Sequence, residues 1–184
     1  MIVNEQVKGI QIIGFTLLGI TAFVLLKSCR TIPRNARPVK PFMVQKYLGR
    51  WYEIARFDFR FEKGLNNTSA EYSLNDDGTV KVVNRGFDYN TNKCKQSVGK
   101  AKFVLSTSEG MLKVSFFGPF YSGYNVIAID ADYKFALVCG KNHDYLWILS
   151  REKSIPEKIK NEYLQTAKRS GFDISKLVWV THNL

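Results

Sequence analysis

The sequence predicts an all-β protein, an eight-stranded antiparallel up-and-down barrel with one C-terminal α-helix packed outside. Three observations predict it. After Pro41, eight short strand-like runs follow one another at the spacing of an all-β sandwich or barrel. Several of these runs alternate apolar and polar residues, as a half-buried strand requires. A single later segment carries a helical stripe, and it is flanked by helix start and stop signals.

Strands are expected over 51–57, 68–74, 79–87, 97–106, 111–117, 124–130, 135–139 and 145–151. Asn75-Asp76-Asp77-Gly78 supplies a hairpin turn, because Asp and Gly tolerate the positive φ such turns need. Ala101, Phe103 and Leu105 interleave with Lys100, Lys102 and Val104, and Val114 and Phe116 with Lys113 and Ser115. One face is therefore apolar and the other mostly solvated. The strand count alone fits a sandwich as well as a barrel; eight strands closed on themselves have an interior that side chains fill or that holds one small molecule. Leu137, Val138, Leu146, Trp147, Ile148 and Leu149 leave neither face of the last two strands polar, so something must cover their outer side. The segment 156–170 is suited to do so: Pro156 opens it, Gly171 follows it, and Ile159, Tyr163 and Ala167 recur at i, i+4 and i+8. A last short strand, 177–180, would return to the barrel edge.

The chain has 184 residues, enough for one domain and a short appendage, and its 45% apolar and 23% charged residues are globular values. A formal charge of +11 favours anionic partners. The basic residues are spread along the chain and no helix-turn-helix, zinc-finger or single-strand stacking signature accompanies them, so an anionic membrane surface suits the charge better than nucleic acid. The stretch from Gly9 to Leu26 has no charged residue, follows Lys8 and precedes Lys27-Ser28-Cys29, which reads as an export signal or, being just long enough, a membrane anchor. Residues 30–41 hold three prolines and four basic residues without apolar periodicity and read as an extended, basic tether, leaving 42–184 as the domain. Removal of the leader with Lys8, Lys27 and Glu5 leaves a charge of +10, so the charge belongs to the exported protein.

Gly49-Arg50-Trp51-Tyr52-Glu53-Ile54-Ala55-Arg56 resembles the first lipocalin motif, a glycine and a tryptophan one residue apart at the start of the first strand. The turn preceding it, 42–47, is similar to the short helix that closes the barrel floor in lipocalins. Asp130, Asp132 and Tyr133 resemble the second motif and Ser150-Arg151 the third. The runs 113–121, 123–128 and 144–151 look like the bacterial lipoprotein lipocalins in particular, and Leu26, Ser28 and Cys29 resemble a lipoprotein signal whose cysteine carries acyl groups such as palmitate; Lys27 departs from that pattern. Arg30 lacks the acidic character of an inner-membrane retention signal, so the resemblance implies a lipid anchor at Cys29 in the outer membrane, with an uncleaved anchor or a plain secretory signal as alternatives. It further implies a membrane-tethered binding protein, a monomer or weak homodimer, that stores or transports fatty acids or lysophospholipids, rather than an enzyme.

In this reading Gly49, Trp51 and Arg151 build the closed floor, with the Arg151 guanidinium across the Trp51 ring. The inward parity of the strands offers Phe103, Val114, Phe116, Tyr124, Tyr145 and Trp147 as ligand contacts. Basic residues near the open end would meet a carboxylate or phosphate. Catalytic candidates are few, since His143 and His182 fall in loop or tail contexts, and neither they nor Cys94 and Cys139 form a triad or a metal-ligand spacing; neither cofactor nor metal is expected. Cys139 reads as a small buried residue, although an exported domain allows a Cys94–Cys139 disulfide. Two other functions compete: a lipocalin that isomerises or de-epoxidises a lipid, and an envelope interaction protein whose barrel is filled. Gly118-Pro119-Phe120-Tyr121-Ser122-Gly123 is expected as a tight hairpin of packed rings, or as a hydrophobic lip.

Overall fold

A computed structural model describes residues 31–60 and 62–183; the leader and Cys29 lie outside the described residues. A one-turn helix, α1 (Val44–Tyr47), precedes eight antiparallel strands: β1 (Gly49–Phe57), β2 (Leu65–Leu74), β3 (Val80–Asp88), β4 (Lys93–Phe103), β5 (Met111–Phe117), β6 (Phe120–Ile129), β7 (Phe135–Cys139) and β8 (Leu146–Ser150). Each pairs with the next in sequence, and β1 closes the ring by pairing with both β2 and β8. The helix α2 (Glu157–Arg169) follows, then a 3₁₀ turn (Ile174–Lys176) and β9 (Leu177–Trp179). β1 borders β2 over Gly49–Tyr52 only, and β9 pairs with its far end, Ala55–Phe57. The described residues thus form a closed eight-stranded antiparallel barrel with one helix outside.

Two apolar clusters hold it. The inner one fills the lower barrel around Phe42, Tyr47, Trp51, Tyr72, Val82, Leu112, Val126, Val138 and Leu149. The outer one joins Leu137, Cys139, Leu146 and Ile148 on the wall to Tyr163 and Ala167 of α2, which covers the face that the sequence left apolar. The Tyr163 hydroxyl donates to the Phe135 carbonyl at 2.8 Å, fixing the helix to the sheet.

Two expectations are corrected, and one open alternative, the disulfide, is decided. The fourth strand starts earlier and ends at Phe103; after a last backbone hydrogen bond from Val104 N to Met111 O at 3.1 Å the chain turns away, and Leu105 is 76% exposed. The two remaining cysteines are unpaired, Cys94 exposed and Cys139 buried beneath α2. Residues 31–41, read as a tether, lie on the barrel. The Asn125 amide donates to Thr31 O at 2.7 Å, Ala36 is buried in the outer cluster, and Val39 hydrogen-bonds to both Gly110 and Val126. The segment adheres through backbone groups and a few irregularly spaced apolar residues, Ile32, Ala36 and Val39, so no apolar periodicity announces it.

Candidate functional site

The floor is organised by one guanidinium. Arg151 lies 4.0 Å from the centroid of the Trp51 ring and donates to four carbonyl oxygens: Lys46 and Leu48 in α1 and its cap, Arg50 in β1 and Tyr133 in the β6–β7 turn. Trp51, fully buried, donates its indole N–H to Tyr47 O at 2.8 Å. Gly49 beside it takes φ +90, a conformation L side chains rarely adopt. Asp130 shapes the facing turn by accepting the amides of Asp132, Lys134 and Phe135, and the Tyr133 hydroxyl accepts the Met43 amide. The three motif regions therefore meet at one place. Above them Tyr124 hydrogen-bonds to Tyr47 and Tyr72 at 2.6 and 2.7 Å, and burial pushes all three phenols above their ordinary range. A void of about 10 Å³ lies in this lower core.

Beyond the tyrosines the barrel opens into a cavity of about 440 Å³. Of the six candidate contacts, Val114, Phe116, Tyr124, Tyr145 and Trp147 line it. Phe103 does not; β4 descends toward the closed end, and its last residue packs on Phe42 at 6.4 Å in the lower core. Gly99 makes room for Phe116, whose ring atoms would lie 2.8 Å from an added Cβ. Leu65, Ala70, Val82 and Leu149 complete much of the apolar wall.

The cavity also holds a charged group that the sequence reading missed. A bulge at Ile54 shifts the β1–β8 register between Glu53 and Ala55, so Glu53 and Arg56 share the inner face despite their odd spacing. Arg56, with its side chain 2% exposed, holds Glu53 at 2.8 Å and reaches Asp58 at 3.4 Å and Glu62 at 3.9 Å. It also donates to the carbonyls of Glu62 and Leu65, pinning the β1–β2 loop. Glu62 accepts the Trp147 indole N–H at 3.2 Å. Burial, and then the charge of Glu53, raises Glu62 well above the usual carboxylate range; burial also raises Glu53, with Arg56 pulling against it. The inward parity of Glu53 with Trp51 was visible in the sequence; the bulge and the loop that bring Arg56 and Glu62 beside it were not.

The remaining titratable candidates lie elsewhere. His143 sits in the β7–β8 turn with Nε2 3.0 Å from Ser170 O, and His182 contacts Glu53 O at 2.8 Å through the tail. Cys139 faces the outer cluster, and burial pushes its thiol up to about 12. The β5–β6 hairpin leaves Phe117 68% and Phe120 79% exposed, and both rings line the cavity mouth as a hydrophobic lip.

A one-ended barrel with a sealed floor and an apolar cavity defines a binding protein for small hydrophobic molecules. The lipocalin-like domain family matches residues 42–182, and the chain belongs to that family. Its relatives place it within the family as a Blc-like lipocalin. It is 52% identical over 162 residues to outer membrane lipoprotein Blc of Escherichia coli K12, covering 87% of this chain and 92% of the relative. It is 43% identical to the protein of the same name from Vibrio cholerae, covering 85% and 92%. In three dimensions it is similar to insecticyanin of the tobacco hornworm Manduca sexta, with a TM-score of 0.67 at 19% identity, over 84% of this chain and 88% of that one.

Proposed function

We propose that this protein is a membrane-tethered carrier that sequesters or transfers fatty acids or lysophospholipids in the bacterial envelope, anchored through acylated Cys29. The cavity of about 440 Å³ carries the reading. It falls within the range of roughly 300–1,000 Å³ typical of small-molecule sites, and each acyl methylene desolvated there contributes about 0.8 kcal/mol. The relatives named as outer membrane lipoproteins and the lipoprotein-like leader support the anchor. No helix among the described residues is long and apolar enough to cross a membrane.

The competing readings have less behind them. Isomerisation by a thiol is disfavoured because Cys139 points away from the cavity and holds its proton strongly. A filled barrel does not expect the space observed. Native mass spectrometry of delipidated protein titrated with palmitate and lysophospholipids is expected to show one-to-one complexes at micromolar ligand. Ala70→Trp, which fills the cavity from its wall, is expected to abolish them while leaving the circular dichroism spectrum unchanged. Absence of any complex with the wild-type protein would overturn the proposal.

A further inference from the structure

We infer that the upper cavity holds a subsite for the positively charged nitrogen of a lipid head group, an ammonium or trimethylammonium, formed by Glu62 against the aromatic wall of Phe59, Tyr145 and Trp147. The inference rests on the lipid-binding reading above and specifies which lipid class the cavity prefers.

Charge is the first argument. Although the chain carries +11, Arg56 is shared at this end of the cavity among three carboxylates: Glu53 at 2.8 Å, Asp58 at 3.4 Å and Glu62 at 3.9 Å. Glu53 takes the short contact, whereas Glu62 lies 3.9 Å from the guanidinium and accepts the Trp147 indole N–H. Arg85 and Lys95 also line the cavity, but each is engaged by another carboxylate, Glu71 at 2.7 Å and Asp88 at 2.6 Å, so the cation nearest Glu62 is the shared Arg56. Burial favours the protonated form of Glu62, and a ligand cation seated beside it favours the ionised form.

The aromatic groups supply the second argument. Phe59 lies edge-on to Tyr145 at 5.4 Å and to Trp147 at 5.9 Å, and the latter two rings stack at 6.1 Å. All three line the cavity together with Glu62. Ring faces beside a carboxylate are the surroundings that bind ammonium and quaternary ammonium groups, through the ring quadrupole reinforced by partial desolvation.

The third is an unsatisfied polar group. Thr68 lines the cavity and is only 4% exposed, yet its hydroxyl, directed at Glu53, completes no hydrogen bond of normal geometry among the described residues. A primary ammonium could donate to that oxygen, whereas a trimethylammonium, which has no N–H, could not. The acyl chain would then lie deeper, against Ala70, Val82, Val114 and Leu149.

Full-length protein stripped of bound lipid is titrated, by tryptophan fluorescence, with lysophosphatidylethanolamine, lysophosphatidylcholine and lysophosphatidate of one acyl length. The wild-type protein is expected to bind the two amine lipids at least about tenfold more tightly than lysophosphatidate. Glu62→Gln should reduce that preference to threefold or less with lysophosphatidate binding unchanged or tighter, and Tyr145→Leu should reduce it in the same direction. Equal binding of all three lipids by the wild type, or a preference that survives both substitutions, would overturn the subsite and leave the carrier reading intact. Binding of none would remove both.

Discussion

Arg151 and Glu62 are both half-hidden ionisable groups, and their surroundings give them opposite roles. Arg151 spends its planar fork on four backbone oxygens while lying 4.0 Å over Trp51. A lysine at this position keeps the charge but places one ammonium where two separate edges of a plane are needed. Arg151→Lys is expected to lower stability by about 2–4 kcal/mol in urea unfolding and to weaken the near-ultraviolet signal of Trp51. Glu62, by contrast, holds its proton to higher pH in the fold than in the unfolded chain, where glutamates titrate near ~4.3. The unfolded state therefore releases the proton first as pH rises, and this residue's contribution to stability falls from there upward through the raised value. The groups facing it are Glu53, Arg56 and Asp58 along the β1 edge and the indole of Trp147. The Tm of Glu62→Gln relative to wild type should therefore be near zero at pH 4 and increasingly positive toward pH 8. A difference that stays flat would mean the carboxylate is already ionised.

At the level of elements, α2 acts as the second wall of the last strands. Tyr163 and Ala167 are buried against a surface of Leu137, Leu146 and Ile148, and Ala167 is 1% exposed. Ala167→Leu overfills that seam and should cost about 1–3 kcal/mol in thermal or urea unfolding while leaving lipid affinity unchanged, since the seam lies on the far side of the sheet from the cavity. This helix was legible in the sequence because both of its partners, the stripe and the two-faced strands, show in the residue pattern. So were the inward Tyr145, Trp147 and Leu149, which follow from Arg151 by parity in an unbroken strand. Parity failed where the strand is broken: the bulge at Ile54 turned Arg56 inward, and the end of the β4 ladder left Leu105 in solvent. Residues 31–41 escaped notice for a different reason, since hydrogen bonds from main-chain groups leave little trace in side-chain character. The polar part of the cavity was hidden for both reasons at once, being assembled from a bulge and a loop.

Across the whole molecule, the barrel separates a packed lower half from a hollow upper half, with the Tyr47–Tyr124–Tyr72 chain at the boundary. That division lets stability and recognition be held by different residues. It also divides the electrostatics: the chain as a whole has a large positive excess, suited to an anionic membrane, whereas at the cavity each cation is matched by carboxylates, Arg56 by Glu53, Asp58 and Glu62, Arg85 by Glu71 and Lys95 by Asp88. The Arg151 contacts have a consequence for how such a barrel can change over time. The guanidinium touches the chain at Lys46, Leu48, Arg50 and Tyr133 only through carbonyl oxygens, which every amino acid possesses. The identities of those four side chains are therefore not specified by the bonds that join them. Mutation can rewrite Lys46, Leu48 and Arg50 at the rim of the floor without breaking these bonds, provided the arginine, tryptophan and glycine stay in place and the Asp130–Tyr133 turn keeps its own side-chain contacts.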